Sequence, residues 1–137
     1  MKYLKSFLIA SAIAIAAASP LFAQSVKEGK TAPDFSLTLS TGQQVKLSDY
    51  KGKAVLLHFW ATWCGICRHT TPQIAALQAR GYPVVSVALH SGSEAAVAAY
   101  LAQHGWSLPV VNDADGRLAA AFGIVATPTV AIVENGQ

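Results

Sequence analysis

The sequence predicts an α/β sandwich built around one sheet and led by an N-terminal β-hairpin. Three observations carry that prediction. Three largely apolar runs, Ala54 to Phe59, Pro83 to Leu89 and Thr129 to Val133, read as buried strands. A stretch with helical spacing separates the first two, so they pair in parallel through a right-handed crossover. Ahead of them, Gln43-Gln44-Val45-Lys46-Leu47 alternates polar and apolar after the turn Thr41-Gly42, as the return strand of a hairpin does.

Taken in order, Gln24 to Lys30 is a short polar lead, and Ala32-Pro33-Asp34-Phe35-Ser36-Leu37 opens the hairpin. Ser48 to Lys53 is a polar connection into the first buried strand. A helix then runs to about Arg80, and Gly81 can end it. After the second buried strand, Ser93 can cap a helix from Ala95 to His104, with Gly105 ending it. Leu108-Pro109-Val110-Val111 is short and extended, and Asp115 or Gly116 starts a short helix to Phe122. The third buried strand follows. Asp113 and Asp115, Trp106, His90 and His104 read as turn, core or surface residues.

The chemistry is concentrated in Trp60-Ala61-Thr62-Trp63-Cys64-Gly65-Ile66-Cys67-Arg68, which holds both cysteines of the chain. A Cys-x-x-Cys between a strand and a helix marks a thiol–disulfide redox site. Cys64 falls at a helix N-terminus, where unpaired N–H groups and the helix dipole favour an anion. The thiolate is the reactive form, so Cys64 is the candidate nucleophile. Cys67, one turn on, is near enough to close a small disulfide. A structural zinc site takes about four ligands, and there is neither a second Cys pair nor a His-x3–5-His pair. Arg68 stands where c-type haem attachment needs His. A ring this small would constrain the unfolded chain little, which argues against a purely structural disulfide. Reduced, the same pair could take copper(I).

Residues 1–23 read as a signal peptide: Lys2 and Lys5 give a basic start, Phe7 to Ala18 an apolar centre, and Leu21-Phe22-Ala23 a cleavage site before Gln24. Leu21 is large for that site, so an uncleaved anchor is the alternative. Either way the expectation is an exported, periplasmic protein, held at the inner membrane if the signal stays on. Residues 24–137 then form one domain with one core. The formal net charge of +3 shrinks once Lys2 and Lys5 are removed, and no basic run is interleaved with aromatics, which excludes nucleic acid as a partner.

On Phe59-Trp60-Ala61-x-Trp63-Cys64-Gly65-x-Cys67, Pro72 and Thr127-Pro128-Thr129, the chain resembles the thioredoxin superfamily. Ala32-Pro33-Asp34-Phe35 and Leu47 to Lys53 are similar to the extension of exported TlpA/ResA-type members; peroxiredoxins share that extension but carry a lone Cys after Thr-x-x. His58 to Cys64 and Val87 to Gly92 look most like suppressor-of-copper-sensitivity D-type proteins. The resemblance implies a thioredoxin-like sandwich with a central mixed sheet. It also implies Cys64 as the exposed nucleophile, Cys67 as the buried resolving cysteine, and a disulfide between them. Pro128 would be the cis-proline beside the sulfurs, with the backbone of Thr127 pairing with an extended substrate. Trp63 would be the indole beside the site, Gly65 and Ile66 the tuning residues between the cysteines, and Pro72 a helix kink.

Three departures follow. His58 replaces a buried Asp that helps deprotonate the resolving cysteine; an imidazole can do that proton work, or it can be a packed core histidine. Thr70 and Thr129 stand where haem-pathway members often carry Glu. The sequence stops at Gln137, where the family continues with an edge strand and a helix; it reads either as a fragment or, if complete, as a fold with one sheet face partly uncovered. The function so implied is thiol–disulfide exchange with protein thiols and disulfides by a monomer. It needs no cofactor, and a membrane redox partner resets it. Ile66 donates no hydrogen bond to Cys64, which points towards a reductant or an intermediate potential. A copper(I) module would instead bind metal tightly when reduced, and a thiol peroxidase would consume peroxide.

Overall fold

The computed structural model describes residues 27–137; the segment 1–23, expected to be a signal peptide, lies outside them. A hairpin of β1 (Ser36–Thr38) and β2 (Gln44–Lys46) comes first, followed by a single 3-10 turn, Leu47–Tyr50. Then come β3 (Ala54–Trp60), α1 (Cys67–Ala79), β4 (Val84–Leu89), α2 (Glu94–Gln103), β5 (Val110–Asp113), α3 (Arg117–Ala121) and β6 (Thr129–Glu134). The four longer strands form one mixed sheet in the order β5-β4-β3-β6. β3 is parallel to β4, β4 is parallel to β5, and β6 runs antiparallel to β3. The expected α/β sandwich with a leading hairpin is therefore the fold.

Alternation along the strands divides the core into two layers. Val55, Leu57 and Phe59 of β3, with Val85 and Val87 of β4, point towards the hairpin and α3, where they meet Phe35, Val45 and Phe122. Trp60 and Ala88 point the other way, into a layer with Cys64, Cys67, Val97 and Leu101. The redox pair thus belongs to the layer under α1 and α2. At the sheet edge, Val133 is buried on the hairpin side, while Val130 and Ile132 on the opposite face are exposed.

Several boundaries differ from the sequence reading, most by one residue. β5 starts at Val110 and reaches Asp113, two residues later than expected at each end. Pro109 has no N–H for a ladder, and pairing starts with Val110 opposite Ser86. The helix before the second buried strand ends at Ala79, and Gly81 takes a φ of 87°, which supplies the chain reversal. Ser93 caps α2 as expected, accepting from the Ala96 N–H at 3.2 Å. Pro72 lies inside α1, where it has no N–H to offer the Arg68 carbonyl. Among the described residues, no helix is long and apolar enough to cross a membrane.

Candidate redox site

β3 delivers the chain to Trp60, and a short turn from Ala61 to Ile66 joins it to α1. The turn is held by its own backbone: the Cys64 N–H donates to Ala61 O at 3.2 Å, and the Cys67 N–H to Cys64 O at 3.2 Å. Cys64 and Cys67 are joined as a disulfide with a Cα–Cα distance of 5.3 Å. Cys64 precedes α1, and Cys67 is its first residue. The Cys67 N–H also reaches Cys64 Sγ at 3.3 Å. A helix-terminal donor, shared with the Cys64 carbonyl, therefore also reaches the sulfur that would carry negative charge on reduction. Cys64 is 7% exposed and Cys67 1%. Cys64 is the more accessible of the two, but it is buried, where the resemblance implied an exposed nucleophile.

Around the pair, Trp63 and Ile66 are 64% and 67% exposed, so a largely apolar rim surrounds a buried disulfide. Thr127–Pro128 is a cis peptide. Because Thr129 pairs with Phe59 in the β3–β6 register, Pro128 lies beside the end of β3 where the cysteine turn begins. Thr127 and Pro128 are half-buried there. Arg68 and His69 are exposed on the first turn of α1.

His58 is fully buried on β3, on the same strand face as Trp60. Neither of its ring nitrogens has a hydrogen-bond partner, and burial lowers its pKa to about 4. The imidazole is neutral at pH 7 and has an acceptor nitrogen unused. Thr71, one turn beyond Cys67, is also fully buried with an unpartnered hydroxyl. Ser86, opposite His58 in the sheet, is occupied by the Trp60 indole.

Two residues beside the site, both within the stretch Val87 to Gly92, were given no site role by the sequence. Ser91 Oγ accepts from the Thr62 N–H at 3.0 Å and donates to Leu89 O at 3.0 Å. The His90 carbonyl accepts from Trp63 Nε1–H at 3.1 Å. Both follow β4, and beyond the resemblance of Val87 to Gly92 their sequence signal is position: a polar pair directly after a buried parallel strand, next to the end of β3. Asp113 is more than a turn former. Its carboxylate is buried and accepts from the Leu118 and Ala119 N–H groups at 3.1 and 2.9 Å, tying α3 to β5. Among the described residues, no group of three or more His, Cys, Asp or Glu could hold a metal ion.

A family model described as Redoxin matches residues 27–137. A thioredoxin-like protein of Haemophilus influenzae is 46% identical over 87 residues, covering 64% of this chain and 52% of the relative. Thiol-disulfide oxidoreductase ResA of Bacillus subtilis is 34% identical over 114 residues, covering 80% of this chain and 63% of the relative. The chain thus spans between half and two thirds of the length of these two curated relatives. Among solved structures, the pneumococcal exposed lipoprotein thioredoxin Etrx1 of Streptococcus pneumoniae matches with a TM-score of 0.65 and 34% identity, over 76% of this chain and 83% of that one. With the mixed sheet, the strand–Cys-x-x-Cys–helix junction and the cis-proline already in place, these similarities make the chain a member of the redoxin family, a TlpA/ResA-like protein of the thioredoxin superfamily.

Proposed function

We propose that the protein is an exported thiol–disulfide oxidoreductase that reduces disulfides in protein substrates through Cys64 and Cys67. The observation that carries this reading is the closed Cys64–Cys67 disulfide at the start of α1, with a backbone N–H directed at Cys64 Sγ. The Cys64 thiolate attacks a substrate disulfide, forms a mixed disulfide and releases one substrate thiolate. Cys67 then gives up its proton, attacks Cys64 Sγ and releases the second substrate sulfur. Two electrons pass to the substrate, and the 64–67 disulfide is left behind.

His58 is the proton acceptor for Cys67 in this scheme: its ring, on the strand face of Trp60, has an unused nitrogen, and because burial disfavours the protonated ring it would hold the proton only transiently. Trp63, Gly65 and Ile66 form the rim over which the substrate docks. The Thr127 backbone, ahead of Pro128, offers an extended edge to the substrate chain. The cysteine pair is itself the redox centre, so no bound cofactor enters the scheme. A membrane redox protein on the exported side would return the electrons. The apolar N-terminal segment supports export to the periplasm, with anchoring if the segment is retained.

The test combines a redox titration with a trapping experiment. Against dithiothreitol, the pair is expected to titrate near the potential of thioredoxin, about −270 mV, rather than that of DsbA, about −120 mV. Cys67→Ser should accumulate mixed disulfides with protein substrates, and Cys64→Ser should form none. Failure of the wild-type protein to reduce insulin disulfides, with no trapped species in Cys67→Ser, would overturn the proposal. Tight copper(I) binding or rapid peroxide consumption in its place would move the site to the other classes.

A further inference from the structure

His90 has a φ of 45°, in the left-handed region that side chains other than glycine seldom occupy, although histidine is among those that tolerate it. Interactions with a distant turn hold it there. Its ring Nδ1 lies 3.1 Å from Ala114 O, and because a carbonyl can only accept, Nδ1 carries the proton. The His90 N–H donates to Asp113 O at 3.1 Å. The ring also lies flush on Gly116, where an added Cβ would stand 2.6 Å from Cε1 and Nε2. The β5–α3 turn therefore grips His90 by side chain and backbone together.

That grip sets the direction of the His90 carbonyl, which receives the Trp63 indole N–H. Trp63 is mostly exposed, so its own packing does little to fix it. Its neighbour Thr62 is held from the same loop, through Ser91 Oγ. The cysteine turn is thus braced from β4 at two adjacent residues.

We infer that His90 is a positioning residue: its Nδ1–H tether to Ala114 O holds the backbone turn that fixes the Trp63 indole as a wall of the docking surface for polypeptide substrates. This rests on the oxidoreductase reading above and extends it to substrate selection. A protein disulfide must dock against the indole, whereas a small disulfide needs only the sulfur. The tether therefore governs KM for proteins and leaves exchange with small disulfides unchanged.

The experiment uses the full chain with His90→Gly and His90→Asn. Glycine relieves the left-handed torsion but loses the tether. Asparagine tolerates the torsion and puts an amide N–H where Nδ1–H stands. Expected for His90→Gly is a KM for insulin raised about fivefold, the scale of one hydrogen bond, and an indole N–H of Trp63 that exchanges faster by a similar factor. Reduction of oxidised glutathione should stay within about twofold of wild type, and His90→Asn should restore both readouts. An unchanged insulin KM and indole exchange in His90→Gly, or equal loss in His90→Asn, would overturn the inference. If the wild-type protein reduces neither insulin nor oxidised glutathione, the oxidoreductase reading itself fails, which is a different result from wild-type turnover with a silent His90→Gly.

Discussion

The Trp60 indole donates to Ser86 Oγ at 2.9 Å, and both side chains are fully buried. The bond crosses from β3 to β4 directly beneath the cysteine turn. Ser86→Ala leaves the indole N–H without a partner in a dry layer. It should cost about 1–3 kcal/mol, read as a lower midpoint in urea unfolding. An unchanged midpoint would mean that water reaches the indole.

His58 makes stability depend on pH. Burial holds its pKa to about 4, below its ordinary 6.5. Between those values the unfolded chain binds a proton that the folded chain refuses, so stability rises with pH across that window. Above about 6.5 this contribution is flat, and as pH falls through the window up to about 3 kcal/mol is lost. His58→Leu should abolish this slope. Urea titrations of both proteins from pH 4 to 7 would cancel the carboxylates they share, and parallel curves would contradict the expectation.

The same variant separates the two readings of His58. If the ring takes the Cys67 proton, His58→Leu should lengthen the life of the mixed disulfide about a hundredfold, a typical contribution of general-base catalysis. A lifetime within about twofold of wild type would leave His58 as packing alone. Stopped-flow mixing with a fluorescent disulfide substrate reads the lifetime directly.

Asp113 should matter to the fold well beyond its place in a turn. Asp113→Ala strips the acceptor from two N–H groups at the start of α3, one of them buried. A loss of about 1.5–3 kcal/mol is expected in thermal or urea unfolding. Asp115→Ala, whose partner Arg117 is exposed at 2.9 Å, should change stability by less than about 1 kcal/mol.

Replacing Ile66 tests the direction of exchange. Ile66→His offers the Cys64 thiolate a charged donor worth about 1.5–3 kcal/mol, which should raise the potential by about 30–60 mV. A potential that does not move would mean that the residue between the cysteines leaves the thiolate untouched here.

The strands and the redox pair were legible because each has a local signature. Ala54 to Phe59 and Pro83 to Leu89 are apolar without interruption by charge, and Cys64-x-x-Cys67 sits where one such run ends. The supports of the site were not legible, because they are set by tertiary contacts. Ser86 reads as a small polar break in a buried strand until the fold puts Trp60 across from it. His90 reads as a surface residue because its torsion is imposed by Ala114 and Gly116, more than twenty residues away. The spacing gave the strand face of His58, but not that both nitrogens would lack partners. β5 slipped by two residues because Pro109 lies in an apolar run that periodicity alone cannot bound.

The bracing of the cysteine turn from β4 leaves the side-chain positions of Gly65 and Ile66 without a packing role, although their carbonyls accept from Arg68 and His69 at the start of α1. A side chain at Gly65 would meet nothing within 4 Å, and Ile66 points largely into solvent. Thr62 and Trp63 make the hydrogen bonds to the loop after β4, so the side chains between the cysteines are free of packing obligations. Most active sites set robustness against chemistry, because the residues that tune the reaction also hold the scaffold. Here the two are uncoupled at two adjacent positions, and a library randomised at Gly65 and Ile66 could sweep the driving force of the reaction while nearly every member still folds.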